Sequence, residues 1–305
     1  MPAFNSRDTV APAVHSALAQ TCSDLEVIVV DDASTDDTVA VLAAIKDRRL
    51  RLVRHARNAG EGPSRNSAIE AARGEWIAVL DADDAWEITR LEKLLSVDRP
   101  AGGPVVLADN IMHCYTVDGA LKPWRPQWSA SEINFVHGAA LLETKDYLRL
   151  DRRLIKPVIP RRILIENGIR YSNRVFGADV EYMIRVLKSG FRLLILEEPL
   201  YLYRRTTGSM TDNPERAAIK REVFLELLEQ LDFSGVERQI VEEQIELLRK
   251  EERYTPFLFQ LKRGHWLEAA SMLMGDFWLA AEFLRRLPES LRYRLHLLLH
   301  RGQSR

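Results

Sequence analysis

The feature that most constrains the fold is the stretch of residues 74–86, where an apolar run leads directly into several carboxylates. Residues 77–80 are all apolar, and Asp81, Asp83 and Asp84 follow them. An unbroken apolar run is typical of a strand that is buried on both faces of a parallel sheet. Carboxylates this close together repel one another unless a cation or hydrogen-bond donors compensate them. The stretch therefore predicts a site for a hard metal ion at the carboxyl end of a strand.

Asp84 has a second interpretation, because a helix is predicted for about residues 87–97. Asp residues cap helices and favour the positive end of the helix dipole. We therefore expect Asp84 to act at the start of this helix, and Asp81 and Asp83 to have a further role.

Strand and helix patterns alternate over most of the chain. Strands are predicted at residues 26–31, 50–54, 77–80, 104–109 and 191–196, and helices at residues 63–73, 87–97, 161–167 and 179–190. Residues 110–135 look irregular, and their aromatic residues Trp124, Trp128 and Phe135 could either stack on a sugar ring or pack in the core. The alternation predicts an α/β fold with a mostly parallel sheet and right-handed crossovers. Since ligands bind at the carboxyl ends of such strands, Asp32 and Asp81 are expected to share one crevice.

Strand patterns end near Pro214, and the rest of the chain has helical periodicity. Helices are predicted at residues 215–231, 236–252 and 256–300, with Pro288 breaking the last one. We therefore predict two domains, an α/β domain at residues 1–211 and a helical region at residues 212–305.

Composition and charge are those of a globular protein with a basic end. The chain has 305 residues, a net charge of -1 and two cysteines, whose spacing forms neither a metal motif nor a disulfide framework. The residues indicate no signal peptide and no membrane span, so a cytoplasmic location is expected. A nucleic-acid partner is not expected. Residues 262–305 carry eight Lys or Arg and four Asp or Glu. This excess of positive charge predicts either an anionic partner such as a membrane surface or a solvated face.

Several ordered motifs resemble glycosyltransferase family 2, whose members are inverting enzymes of the GT-A fold. The residues that carry the resemblance are residues 1–5, residues 29–36, Ser64-Arg65-Asn66, Gly74-Glu75-Trp76-Ile77, Asp81-Ala82-Asp83 and residues 177–181. Each motif is weak alone, but the ordered set is specific and covers about residues 1–211. The resemblance implies a GT-A nucleotide-diphospho-sugar transferase fold, Rossmann-like, with a C-terminal helical extension. Residues 1–5 look like the end of the family's first strand, so we expect a truncated first strand and a start codon that lies upstream.

The resemblance also implies roles for individual residues. The donor nucleotide would be bound by Pro2, Ala3, Asn5, Asp32, Arg65, Asp81, Ala82, Arg204 and Arg205. Asp83, with Asp81, would hold a divalent cation, Mg²⁺ or Mn²⁺, on the donor diphosphate. A metal held by one or two carboxylates suits this role because the leaving nucleoside diphosphate gains negative charge.

Asp179 is implied as the catalytic base that removes a proton from an acceptor hydroxyl, so that attack inverts the anomeric configuration. Its alternative interpretation is a helix N-cap. Family members usually carry Glu-Asp where this chain has Ala178-Asp179, so the base is kept and its acidic neighbour is not. Residues 203–209, with Arg204, Arg205 and Ser209, resemble the family's mobile segment over the diphosphate, where arginines could clamp phosphates or remain solvated.

A narrower resemblance concerns residues 154–159 and 168–171, which look like enzymes that build bacterial exopolysaccharides such as succinoglycan. It implies a saccharide or polyprenyl-linked oligosaccharide acceptor and work at the inner face of the cytoplasmic membrane. The tail has an apolar stripe, Leu284, Leu287, Leu291, Leu295 and Leu298, among arginines. Such a basic amphipathic helix could lie in a membrane interface or pack against its own protein.

Three other interpretations compete with an active glycosyltransferase. A signalling receiver domain is imitated by Asp31-Asp32, Asp81 and Lys122-Pro123, but Lys122 follows a turn, and a receiver has no use for Asp83 or Asp179. A sugar nucleotidyltransferase needs a Gly-rich phosphate loop near its start, and residues 1–20 contain no glycine. A catalytically impaired family member, acting as a binding or scaffold subunit, is suggested by the missing first strand.

Overall fold

The computed structural model describes residues 1–101, 103–117, 119–174, 176–205, 215–280 and 283. Its contacts divide the chain into two units, one of residues 1–115 and 121–205 and the other of residues 116–120 and 206–305. The predicted domain boundary after residue 211 falls within residues 206–214, outside the described residues, and stays a prediction.

The first sheet is fully parallel, as the strand-helix alternation predicts. Its strands, in the order β1-β2-β3, are β1 (Pro2–Ala3), β2 (Val27–Asp31) and β3 (Leu50–Arg54). The helices that follow them are α1 (Val10–Leu18), α2 (Thr38–Ala44) and α3 (Glu61–Ala71). Every residue of β2 is buried, since the strand lies between two others and its β-branched side chains fill the core.

Within the described residues, the second sheet has seven strands in a mixed arrangement. They are β4 (Trp76–Ala78), β5 (Ala85–Trp86), β6 (Val105–Val117), β7 (Ala120–Pro126), β8 (Ala139–Leu142), β9 (Val158–Pro160) and β10 (Arg192–Arg204). The order is β4-β9-β6-β10-β5, with β7 beside β6 and β8 beside β10. β6 and β10 are parallel, whereas β10 pairs with β5 and β8, and β9 with β4 and β6, in antiparallel fashion.

Two strand predictions are wrong in detail. The strand predicted for residues 77–80 is the short β4, which is half-buried and antiparallel to β9, not a parallel strand buried on both faces. Residues 110–117 and 120–126 are strands, although residues 110–135 look irregular in sequence. The sequence does not indicate the part of β6 after residue 109, because this part contains polar residues. One of them, Asn110, is buried, and its side chain donates to the Trp128 carbonyl at 2.8 Å.

The remaining helices of the first unit are α4 (Arg90–Ser96), α5 (Thr144–Arg149), α6 (Arg161–Glu166) and α7 (Ala178–Lys188). One apolar core joins α1, β2, α4 and β6, with Val14, Val29, Leu94 and Leu107 fully buried in it. The core therefore supports both sheets and fixes the ends of β2, β4 and β10, which carry the polar residues described below.

The second unit contains α8 (Arg216–Gln230), α9 (Gly235–Arg263) and α10 (Trp266–Gly275), of which α8 and α10 both pack on α9. The sequence predicts separate helices at residues 236–252 and 256–300, but α9 runs continuously through Pro256 and ends at Arg263, with Gly264 as its C-cap at a φ of 82°. Left-handed φ angles favour glycine and end helices, so Gly264 and not Pro256 marks the end of α9. Pro288 and the leucine stripe of residues 284–298 lie outside the described residues. Among the described helices, none combines the length and apolar character that a bilayer span requires.

Candidate functional site

Asp81 lies just beyond β4 and is held by two cations. Its carboxylate accepts hydrogen bonds from Lys156 Nζ at 2.5 Å and Arg65 Nη2 at 2.8 Å. Its backbone N–H donates to the Tyr201 hydroxyl oxygen at 3.1 Å. Burial opposes ionisation of Asp81, but Lys156 and Arg65 outweigh it and hold the pKa of the carboxyl well below its usual range. Asp81 is therefore an ionised carboxylate in a cationic pocket.

Asp179 shares the same two cations. Arg65 Nη1 donates to its carboxylate, and Lys156 Nζ lies 3.6 Å from its second oxygen. The side chain of Asp179 is 28% exposed, so one edge of it faces solvent. Arg65, Asp81, Lys156 and Asp179 form the group that we call the charge cluster, in which both cations contact both carboxylates.

The start of α7 positions Asp179. The N-cap of α7 is Gly177, with a φ of 84°, and Asp179 is the second helical residue. The alternative interpretation of Asp179 as the N-cap is therefore wrong. Nearby on the same helix, Glu181 is buried and accepts hydrogen bonds from Ser172 at 2.6 Å and Arg174 at 3.1 Å. These bonds of Glu181 hold the start of α7, and Asp179 contacts Arg65 and Lys156 instead.

Arg65 reaches the cluster because α3 is fixed at its start. Asp32 is buried, and its carboxylate accepts from the backbone N–H groups of Ala59 and Gly60 and from His55. Gly60 is the N-cap of α3, with a φ of 97°. Asp32 therefore secures the turn into α3, and its expected contact with the nucleotide base stays a prediction.

The packing of α3 against residues 171–172 fixes the other side of Arg65. A Cβ on Gly62 would lie 2.0 Å from the carbonyl oxygen of Ser172, so only glycine allows this approach. The Asn66 side chain makes two hydrogen bonds to the backbone of Tyr171, at 2.8 and 2.9 Å. The Arg65 guanidinium lies 5.0 Å from the centre of the Tyr171 ring, and Arg65 also pairs with Glu61 at 2.6 Å.

Asp83 and Asp84 have different surroundings. Asp83 is exposed, although neighbouring protein atoms and the charge of Asp81 raise the pKa of its carboxyl. Asp84 is buried and accepts from the Tyr201 hydroxyl at 2.7 Å and the Arg204 backbone N–H at 2.8 Å. Asp84 does not cap α4, which begins at Arg90, so this prediction is wrong. The strand β5 intervenes, and Asp84 instead fixes the end of β10.

The carboxylates of this region determine whether a metal ion fits. The described residues contain no group of three or more His, Cys, Asp or Glu side chains that could hold a metal by themselves. The carboxylate of Asp81 already pairs with the side chains of Arg65 and Lys156, and Asp83 is the exposed carboxylate next to it. Mg²⁺ typically takes one or two protein carboxylates and completes its shell with substrate phosphates and water. Asp83 with a bound diphosphate fits that pattern.

The two arginines after Tyr203 diverge. Arg204 is buried, and its Nε donates to the Asp83 carbonyl oxygen at 2.6 Å. The Arg205 guanidinium lies 5.5 Å from the centre of the Trp124 ring. Arg204 is thus joined to the acidic stretch. Ser209, from the predicted mobile segment, lies outside the described residues.

The other predicted donor residues lie where β1 meets β2. Pro2 pairs with Val30, and the buried Ala3 accepts from the Asp32 backbone N–H at 2.8 Å. Asn5 has a φ of 49°, and its Oδ1 accepts from the Thr35 backbone N–H at 2.8 Å. Ala82 is buried beside Asp81. These contacts tie the first loop to the turn after β2.

The aromatic residues of the stretch predicted to be irregular have separate roles. Trp128 is buried and its indole donates to the Arg152 carbonyl at 3.1 Å, so the core interpretation is confirmed for this residue. Trp124 is half-buried beside Arg125 and Arg205.

The sequence did not indicate that Lys156, His55 and Tyr201 contribute hydrogen bonds to this region. Lys156 is separated from Asp81 by 75 positions and follows no local motif. Its lysine-proline dipeptide inside an apolar segment was the available signal, since a lysine there must find a partner when it is buried.

Comparisons with known proteins agree with the family resemblance. The profile described as Glycosyl transferase family 2 matches residues 1–141. Succinoglycan biosynthesis protein ExoO of Rhizobium meliloti (strain 1021) is 30% identical over 282 residues, which are 90% of this chain and 80% of ExoO. This relative also confirms the narrower resemblance to succinoglycan-type proteins.

Solved structures show the fold. S. aureus TarS 1-349 in complex with UDP superimposes with a TM-score of 0.61 at 17% identity, covering 93% of this chain and 90% of that one. Mannosyltransferase PcManGT from Pyrobaculum calidifontis in complex with GDP-Man and Mn²⁺ gives 0.60 at 17%, covering 99% and 82%. The predicted GT-A fold is confirmed, and the receiver-domain and nucleotidyltransferase interpretations are set aside. The chain belongs to glycosyl transferase family 2 and is a glycosyltransferase.

Proposed function

We propose that this protein is an inverting glycosyltransferase that moves a sugar from a nucleoside diphosphate donor, a UDP-sugar, to an acceptor hydroxyl. The observation that carries the proposal is the charge cluster, because Arg65 and Lys156 each contact both Asp81 and Asp179. For a transfer in one step, the carboxylate that binds the donor and the catalytic base must lie close together. Asp81 and Asp179 meet this requirement, since they share the same two cations.

The donor would bind along the carboxyl ends of β1, β2 and β4. Pro2, Ala3, Asn5 and Asp32 would line the nucleotide pocket, and Arg65, Asp81 and Ala82 would face the ribose and diphosphate. Arg204, buried against the Asp83 carbonyl, would approach the diphosphate, whereas Arg205 contributes less because it contacts Trp124. Support for UDP comes from the TarS complex, although PcManGT binds GDP-Man.

A divalent cation, Mg²⁺ or Mn²⁺, would be held by Asp83, with Asp81 beside it; when bound, it supplies positive charge for the leaving diphosphate. PcManGT is described with Mn²⁺, which supports the same choice here. The protein's own cations, Lys156 and Arg65, keep Asp81 ionised next to that position.

In the proposed reaction, Asp179 accepts the proton of the acceptor hydroxyl. The hydroxyl oxygen forms a bond to the anomeric carbon from the face opposite the diphosphate. The bond between that carbon and the phosphate oxygen breaks, and the electron pair leaves with the nucleoside diphosphate. The partial exposure of Asp179 supports this role, because an acceptor can reach it from solvent.

The acceptor would be a saccharide or a polyprenyl-linked oligosaccharide in cell-surface or exopolysaccharide synthesis, as the name of ExoO suggests. Work on such an acceptor would take place at the inner face of the cytoplasmic membrane. The basic C-terminal residues could then give peripheral membrane contact; this proposal rests on their sequence alone, since residues 284–305 lie outside the described residues.

A screen of nucleotide sugars tests the proposal. The protein is incubated with UDP-glucose, UDP-galactose, UDP-N-acetylglucosamine and GDP-mannose, with Mn²⁺ or with EDTA, and release of the nucleoside diphosphate is measured. We expect slow metal-dependent hydrolysis of a UDP-sugar. Binding without hydrolysis would favour the impaired scaffold subunit, and neither binding nor hydrolysis would contradict the proposal.

A further inference from the structure

Lys156 is the buried lysine of the charge cluster. It is 3% exposed and lies between α5 and β9. Its ammonium is 2.5 Å from one oxygen of Asp81 and 3.6 Å from one oxygen of Asp179. Its backbone carbonyl accepts a hydrogen bond from Arg90 Nη2 at 2.7 Å, which fixes the main chain at this point. Both ends of the residue are thus held.

Burying a lysine costs free energy unless the ammonium is paired. Burial would lower the pKa of Lys156, but Asp81 and Asp179 outweigh it, so the net shift is upward and the ammonium stays charged. Because the side chain of Lys156 is buried and its backbone carbonyl is held by Arg90, its ammonium can keep the two carboxylates at a fixed separation.

Arg65 makes a similar bridge but has more partners. It contacts Glu61 as well as Asp81 and Asp179, and the side chain of Glu61 is 43% exposed. An arginine that also turns toward a donor must loosen some of these contacts. Among the described residues, the Lys156 ammonium pairs with Asp81 and Asp179 alone, so it can keep Asp179 in place after the donor has bound.

We propose that Lys156 is a positioning residue that fixes Asp179 relative to Asp81, so that the base faces the anomeric carbon of the bound donor. The inference rests on the proposed function of Asp179. Lys156 itself forms no bond to substrate and transfers no proton; it acts through the orientation of Asp179.

The test compares Lys156→Met with Lys156→Arg in the full chain. The readouts are the kcat for hydrolysis of the best UDP-sugar of the panel with Mn²⁺ and the Kd of UDP with Mn²⁺ by calorimetry. We expect Lys156→Met to lower kcat by at least about tenfold, since misplacing a catalytic group by about 1 Å can cost more. The Kd of UDP should change less, by under about threefold, because the loss is specific to the reacting state. Lys156→Arg keeps the charge and should recover part of kcat.

Lys93→Met is the matched control, because Lys93 pairs with Glu198 at 2.6 Å on the exposed surface. It should leave kcat and Kd unchanged. Thermal unfolding checks that each variant is folded, and Lys156→Gln replaces the methionine variant if that one does not fold.

The decisive measurement is the double variant with Asp179→Asn. If Lys156 acts through Asp179, adding Lys156→Met to Asp179→Asn produces no further loss of residual turnover. Multiplied losses, or a wild-type kcat for Lys156→Met, would overturn the inference. Full turnover of Asp179→Asn alone would instead overturn the proposed base, so the two failures are distinguishable.

Discussion

Two groups of arginine and aspartate in the first unit differ in their access to solvent. In the first, which we call the closed pair, Arg90 Nε donates to Asp109 at 2.8 Å, and the side chains are 0% and 1% exposed. The Leu200 backbone N–H donates to the second oxygen of Asp109 at 3.1 Å. In the charge cluster, Asp179 is 28% exposed.

The two groups have the same chemistry and differ in access from solvent. Arginine and carboxylate form strong charge-assisted bonds in both places. In the closed pair every face is covered, with Arg90 stacked on Trp86 and Tyr201 at 4.8 and 5.2 Å, so nothing from solvent can enter. Burial even raises the pKa of Asp109 despite its partner. In the charge cluster two cations lower the pKa of Asp81, and one carboxylate edge stays open.

Arg90→Leu should have the largest effect on stability, because it leaves Asp109 buried without its cation. We expect a loss of about 3–5 kcal/mol in the free energy of unfolding, measured by urea denaturation. Lys93→Leu, which breaks the exposed pair with Glu198, should cost less than about 1 kcal/mol. Equal losses in the two variants would show that the closed pair is not structural.

His113 differs from both groups, because it is buried near arginines and not beside a paired carboxylate. Burial, and then the charges of Arg205, Arg125 and Arg152, lower its pKa from 6.5 to about 4. The folded protein keeps His113 neutral while the unfolded chain binds a proton, so stability should fall as the pH drops from about 6.5 to about 4. The contribution is of the order of 3 kcal/mol over that window.

Urea denaturation at several pH values checks this prediction. His113→Asn should flatten the slope of stability against pH between the two values, and exchange of the exposed His15 for Gln should leave it unchanged. An unaltered slope in His113→Asn would contradict it.

Gly62→Ala probes the packing that positions Arg65. Alanine normally stabilises a helix interior relative to glycine by about 1 kcal/mol. Here the added Cβ would lie 2.0 Å from the Ser172 carbonyl oxygen. We therefore expect a loss of about 1–3 kcal/mol from overpacking, measured by thermal unfolding. Gly235→Ala, where no atom lies within 4 Å of the new Cβ, is the control and should be neutral or stabilising. A gain in Gly62→Ala would contradict the close approach.

Asp83→Ala should have the smallest effect, confined to metal-dependent binding. We expect the affinity for UDP with Mn²⁺, measured by calorimetry, to fall by about tenfold, since one carboxylate ligand is lost. With EDTA the variant and the wild type should bind alike, and exposed Asp98→Ala should behave as the wild type throughout. The same loss with and without metal would argue against Asp83 as a ligand.

The sequence predicted the parts of this molecule that depend on local pattern. Arg65, Asp81 and Asp179 stand in recognisable motifs, and the structure brings their side chains together. The pairing of β4 could not be predicted, because an apolar run has the same appearance in parallel and antiparallel sheets. Lys156 was missed for a related reason: its partners depend on tertiary contacts across 75 positions and on burial, neither of which a local pattern encodes.

The proposed function requires that the charge cluster is the transfer site and that Asp179 is its base. Asp179→Asn tests it most directly when turnover of the UDP-sugar and the Kd of UDP with Mn²⁺ are measured on the same preparation. We predict that kcat falls by about 100-fold or more, the typical contribution of a positioned general base, while the Kd stays within about threefold of the wild type. Retained turnover would contradict the claim.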